Sequence, residues 1–146
     1  MAKINCEDRN PRNKVDLSNI KKIAAKTLKS LKKGRAEVNI VFVTNPEIRA
    51  MNRRYLGADR ATDVLAFDGV CEGVSGMRNF LGDIVISTDQ VLKNAKEFGT
   101  EFRGETALCV IHGILHLLGY RDGTRGEKGV MRKMEGELLE KVGKLA

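Results

Sequence analysis

The chain has 146 residues, a length that suits one domain with room for a core that needs no staples. Hydrophobic residues make up 42% and charged residues 31%, as in an ordinary soluble globular protein, and 26 Lys and Arg against 19 Asp and Glu leave a net charge of +7. No apolar run reaches the roughly 20 residues of a membrane span, and three scattered cysteines (Cys6, Cys71, Cys109) make neither a disulfide framework nor a four-thiolate zinc knot.

The amino terminus, MAKINCEDRNPRNK, is polar and lacks the apolar core of a signal peptide, so a reducing, cytoplasmic setting without disulfide-linked or membrane partners is expected. Residues 16–33, DLSNIKKIAAKTLKSLKK, place Leu17, Ile20, Ile23, Ala24, Leu28 and Leu31 at helical spacing, with lysines opposite and Gly34 as the stop. AEVNIVFVT (36–44) alternates as a strand does. Asn45, Pro46 and Glu47 then open a helix that carries IRAMNRRYL, with Asn45 read as the cap. ATDVLAF (61–67) and FLGDIVIS (80–87) read as strands, and the Gly-rich DGVCEGVSGMRN between them as the loop of a wide hairpin. Thr88 and Asp89 cap a short helix that runs through about Phe98. A helix from about Glu101 to Leu118 follows, Gly119 ends it, and GEKGVMRKMEGELLEKVGK (126–144) forms a last amphipathic helix. The sum is an α+β fold in one domain spanning 1–146, with a small mixed sheet of about four strands and about five helices.

The helix over 101–118 holds the only two histidines, His112 and His116, in an otherwise apolar stretch. Four residues is one turn plus about 40°, so both imidazoles leave the same face. Gly119 allows a sharp turn, after which Asp122 can bring back a carboxylate oxygen. Two imidazoles and one carboxylate, with the fourth position open to water, suit a catalytic Zn²⁺, and such donors also accept Ni²⁺. The duller alternative is a pair of core histidines bonded to backbone carbonyls. It must satisfy two polar rings in an apolar wall, which makes it the weaker reading. Metzincin peptidases share the spacing of histidines at 0 and +4, Gly at +7 and a ligand at +10. They require a Glu base directly after the first His, where this chain has Gly113.

HGILHLLGY (112–120) resembles the signature HGxLHLxGYDH of the YbeY family, bacterial rRNA-maturation endoribonucleases. IRAMNRRYLGADRATDVLAF resembles that family's LNxxYRxxDxxTDVLSF block, LGDIVIS (81–87) its LGDIxIS strand, and Met131 and Glu135 its following helix, so the likeness covers roughly residues 38–140. The resemblance implies a small α+β fold, one metal held by His112, His116 and Asp122, and cleavage of single-stranded RNA in 16S rRNA maturation and ribosome quality control. Ribosomal RNA, the ribosome or small-subunit proteins are then the partners. Two positions depart from the pattern: Asp122 stands where the family has a third histidine, and Leu56 where it often has an arginine.

Several side chains carry further expectations. Arg53, Arg54, Arg60 and Arg121 are candidate phosphate-binding residues, because guanidinium matches phosphate geometry, although each also fits a solvated charged face. Asp63 is a candidate general base by family position alone, with a strand-end carboxylate bonded to backbone as the plainer role. Cys109 could compete as a soft ligand or simply pack. Tyr120 is expected over the loop, Met131 and Met134 in the core, and Glu135 either behind a ligand or on the surface. The positive charge favours a polyanionic partner. The lysines of the first helix, Lys32 and Lys33 among them, read as solvated surface. A metal-stabilised, non-catalytic ribosome-binding protein would share all these features.

Overall fold

The computed structural model describes residues 2–69 and 79–142. Its elements in chain order are β1 (Lys3–Asp8), α1 (Leu17–Ser30), β2 (Glu37–Val43), α2 (Asn45–Leu56), β3 (Val64–Asp68), β4 (Phe80–Ser87), α3 (Thr88–Phe98), α4 (Phe102–Leu117) and α5 (Arg125–Val142). The strands form one sheet in the order β1-β2-β4-β3, with β1, β2 and β4 parallel and β3 antiparallel to β4. This is the expected α+β arrangement, four strands and five helices in a single domain.

The expected helices are present, Gly119 closes the histidine helix as expected, and three other ends are set by residues other than those anticipated. Thr44, not Asn45, caps α2, its hydroxyl accepting from the Glu47 N–H, and Ser87 rather than Thr88 or Asp89 caps α3. The first helix ends at Leu31, before Gly34, because Lys32 takes a left-handed turn at φ 60°. Residues 61–63 precede β3 instead of joining it. The hairpin between β3 and β4 is real, its last pair being Asp68 and Gly82, but positions 70–78 of its Gly-rich loop, Cys71 included, lie outside the described residues, as do 143 and 144 of the last helix.

One strand was not foreseen. KINCED pairs with β2 from Lys3↔Glu37 to Asp8↔Phe42 and forms an edge of the sheet. Its inward Ile4 and Cys6 are only half-buried while Lys3, Asn5 and Glu7 face solvent, so it lacks the apolar content of a recognisable strand.

Alternation along the strands gives the sheet two different faces. Val38, Ile40, Phe42, Ile84 and Ile86 pack beneath α1, α4 and α5 in the main core with Ile111, Ile114, Leu115 and Met131. Val43, Leu65 and Val85 point the other way and meet Ile48 of α2 in a smaller cluster. The pairing of β2 with β4 slips at Leu81, since Glu37 opposes Phe80 while Val38 opposes Gly82. That bulge lets both Leu81 and Gly82 turn toward the α4 layer. Gly82 sits at φ 142°, where an added Cβ would lie 2.1 Å from the Phe67 carbonyl oxygen and 2.9 Å from a Leu117 methyl. Only glycine fits there. Among the described residues, no helix is long and apolar enough to cross a membrane.

Candidate metal centre

α4 is apolar almost all round because it lies between the sheet and three other helices. Position 113 faces β4: a Cβ on Gly113 would meet the Ile84 side chain at 2.7 to 3.1 Å. The missing glutamate of the peptidase pattern is thus a steric necessity, because a side chain at 113 would drive into the sheet and away from the histidines.

His112 and His116 leave a different side of α4 and are only partly covered, at 24% and 30% side-chain exposure. Their rings meet edge to face with centroids 4.5 Å apart. The third residue is delivered by two local motifs. Leu118 caps α4, and the Gly119 N–H donates to the His116 carbonyl while the Tyr120 N–H donates to that of Leu115, a Schellman closure with Gly119 at φ 97°. Tyr120 packs on the core. Beyond the turn, Thr124 and Glu127 form a reciprocal capping box at the start of α5: the Glu127 N–H donates to the Thr124 hydroxyl at 3.1 Å, and the Thr124 N–H donates to Glu127 Oε1 at 3.0 Å. Asp122 hangs between these anchors.

The three side chains converge. His112 Nε2 and His116 Nε2 are 2.9 Å apart, and Asp122 Oδ2 lies 3.6 Å from each. Ligands at 2.0–2.1 Å around a tetrahedral ion stand about 3.3–3.4 Å from one another. The observed edges bracket that figure, so the donors fit a small divalent cation. No other group of three or more His, Cys, Asp or Glu among the described residues converges in this way.

Glu135 of α5 supports the arrangement. Its Oε1 lies 3.0 Å from His112 Nδ1, which places the ring proton there and leaves the Nε2 lone pair for the shared point. Burial pushes the His112 pKa down, but the hydrogen bond and charge of Glu135, with Asp122 and Asp63 adding to it, outweigh burial and leave it raised. Cys109 stays out of the centre. Its thiol donates to Asp63 Oδ2 at 3.8 Å, and burial, reinforced by Asp63, Glu105 and Glu135, pushes its pKa well up, so it remains a protonated packing group. Asp63 therefore engages a thiol through its side chain, while its backbone carbonyl accepts from Ser87. It lines a pocket behind His112 with Cys109, Glu105, Arg132 and Glu135.

The open side of the triad faces a cleft of about 470 Å³ lined by His116, Asp122, Arg121, Tyr120, Asp68 and Glu127 among others. Of the four candidate arginines, Arg121 alone lines it. Arg53 and Arg60 line a separate groove along α2, on the other side of the sheet, where Arg49 pairs with Asp59 at 2.9 Å. Arg54 stacks over the neighbouring Tyr55 ring at 5.3 Å, and Leu56 is exposed. The sequence reading missed Asp68, Glu127 and Arg132 as neighbours of the centre. For Glu127 a signal existed, the Thr-x-x-Glu spacing of its capping box; Asp68 reaches the cleft at the end of β3, a placement that no local pattern announces.

Proteins named Endoribonuclease YbeY are similar to the chain: that of Bacillus velezensis is 40% identical over 116 residues, covering 75% of this chain and 74% of its own. That of a Thermoanaerobacter species is 35% identical over 149 aligned positions, covering 91% and 94%. A solution structure of a Thermotoga maritima protein superposes with a TM-score of 0.68 at 33% identity, covering 95% of this chain and 88% of the other. The family profile described as Endoribonuclease YbeY matches residues 4–143, from within β1 to just past α5 and including all three converging side chains, and the chain belongs to that family.

Proposed function

We propose that this chain is a zinc-dependent hydrolase that cuts single-stranded RNA internally during 16S rRNA maturation and ribosome quality control in the cytoplasm, with residues 1–146 acting as one catalytic domain. The observation that carries the reading is the convergence of two imidazole nitrogens and one carboxylate oxygen beside an open cleft. The names of its relatives supply the RNA substrate.

His112, His116 and Asp122 would hold the ion, and zinc suits this mixed nitrogen and oxygen set, with nickel able to occupy it. The ion would supply Lewis acidity toward a phosphoryl oxygen and would acidify water. Glu135 keeps His112 in the tautomer that presents Nε2. Arg121, at the cleft wall, is the guanidinium placed to orient a phosphate. Ribosomal RNA within the small subunit is the partner that this chemistry and the basic charge suit.

Asp122 favours one rival. A carboxylate donor leaves the ion a weaker Lewis acid than a third imidazole would, which is compatible with a metal-stabilised ribosome-binding protein that turns nothing over. Nuclease-free protein fully loaded with zinc should cleave an unstructured RNA oligonucleotide, and His116→Ala should lose cleavage while retaining RNA affinity. Binding without any cleavage by the loaded wild type would decide for the rival. Metal analysis of Asp122→Ala should show occupancy well below one ion per chain, and full occupancy would remove Asp122 from the set.

A further inference from the structure

The carboxyl end of α1 carries three cations that the metal centre does not use. Lys32, Lys33 and Arg35 are exposed and line a groove of about 620 Å³ with Asn79 and Leu81, and no carboxylate among the described residues lines it. None of the three has an ion-pair partner among the described residues.

Lysines at a helix end commonly neutralise its last carbonyls. Here the backbone already does so. The Leu31 N–H donates to Thr27 and Leu28, that of Lys32 to Lys29, that of Lys33 to Leu28, and the Ala36 N–H to Lys33. The ammonium groups are left facing the groove. Lys32 holds φ 60°, a conformation that suits glycine better by about 1 kcal/mol.

The groove lies at the same end of the molecule as the triad. α1 connects β1 to its parallel neighbour β2 and so ends beside the start of β2, while the end of α4 lies at the start of β4, where Leu117 meets Gly82. Leu81 lines the groove, and its neighbour Gly82 lies against Leu117, which lines the triad cleft. From the start of β2 to the end of β3 is two strand spacings, roughly 10 Å.

We propose that Lys32, Lys33 and Arg35 form a second contact for the substrate strand: they hold backbone phosphates of single-stranded RNA whose scissile bond lies at the triad. This rests on the endoribonuclease reading. It deepens that reading by giving the strand a track across the start of β4. The groove grips nucleotides remote from the reacting phosphate, so its contribution is equal in ground and transition states.

The test compares Lys32→Gln/Lys33→Gln/Arg35→Gln with Lys21→Gln/Lys22→Gln/Lys26→Gln, which removes the same charge from within α1, ahead of the groove. Binding of a labelled uridine dodecamer is followed by fluorescence anisotropy across a salt series, in EDTA to suppress turnover. The groove variant should bind on the order of 10-fold more weakly at low salt, with a salt slope shallower by about 2, near 0.7 for each phosphate that is no longer neutralised. The control variant should change both less than half as much. In cleavage assays with metal, the groove variant should raise KM at unchanged kcat. Equal losses in both variants, or wild-type slope and KM in the groove variant, overturn the proposal while RNA cleavage by the wild type stands. If the wild type neither binds nor cuts the RNA, the endoribonuclease reading falls and takes the groove with it.

Discussion

The two ends of the sheet are both rich in polar side chains, yet they are built to opposite purposes. At the carboxyl ends of β1, β2 and β4, the buried Asn10 amide donates to the Val43 carbonyl, the Thr88 hydroxyl and Asp89. Asp89 also accepts from Asn13 and from the Asn45 N–H, while the Ser87 hydroxyl donates to Asn45 and accepts from the Gln90 N–H. Among the described residues, no buried side-chain nitrogen or oxygen there lacks a hydrogen-bond partner. At the other end, His112, His116 and Asp122 point at one another across a shared space, and three further cations line a groove without ion-pair partners among the described residues. Open parallel sheets usually bind ligands beyond the carboxyl ends of their strands. Here that edge is a clasp holding Asn10, Arg12 and Asn13 to Asp89 at the start of α3, and the converging donors stand at a helix end instead. What separates a structural polar cluster from a functional one is whether its atoms satisfy each other or leave a common point unfilled.

This contrast can be broken by substitution, and the largest effect belongs to the open end. His116→Ala should lower RNA cleavage by about 1,000-fold or more, equivalent to roughly 4 kcal/mol of barrier. The urea midpoint of the metal-free protein should move little. A large loss of stability with cleavage retained would make the histidines core residues after all. At the closed end, Asn10→Ala should cost about 2–3 kcal/mol in urea unfolding, because it strands buried acceptors, and should leave metal stoichiometry unchanged.

Glu135→Gln comes next. An amide cannot hold His112 as firmly, so zinc affinity measured by chelator competition should weaken by about 10–100-fold at near-constant stability. Unaltered affinity would make the 3.0 Å hydrogen bond to His112 incidental.

Asp89→Asn is the smallest and tests the clasp by pH. Burial raises the Asp89 pKa, but hydrogen bonds from Asn10, Asn45 and Asn13 and the charge of Arg12 outweigh it, so the net shift is downward. A depressed carboxyl stabilises the fold above its unfolded pKa of about 3.9, and that contribution is lost as pH falls through the folded value. The stability gap between wild type and Asp89→Asn, about 1 kcal/mol, should hold from pH 7 to pH 5 and shrink below pH 4. A gap that widens on acidification would contradict this.

Much of the fold was legible because periodicity in α1 and the central strands is strong and burial follows it, while α4 is a long apolar run closed by Gly119. β1 was not, since KINCED is an edge strand with half-buried inner residues and carries no apolar stripe. The triad was legible from spacing: His112 and His116 share a helix face by geometry, and Gly119 marks the turn that returns Asp122. The surroundings of the triad were not. Asp68 reaches the cleft through strand pairing and Arg132 its place near His112 through the packing of α5 on α4, which no local pattern encodes, while Glu135 takes the first of the two places expected for it, behind a ligand. Arg53 and Arg60 lie beyond the sheet because α2 crosses to the second face, a fact decided by the alternation of Val43, Leu65 and Val85 rather than by anything in α2 itself.

The Schellman turn and the capping box on either side of residue 122 use main-chain groups and the side chains of Thr124 and Glu127, none of which involves the aspartate. The donor at that position is therefore exchangeable without redesigning its mount. A family built on such a loop could retune the acidity of any ion bound there one residue at a time, and an imidazole placed here should find its perch already made.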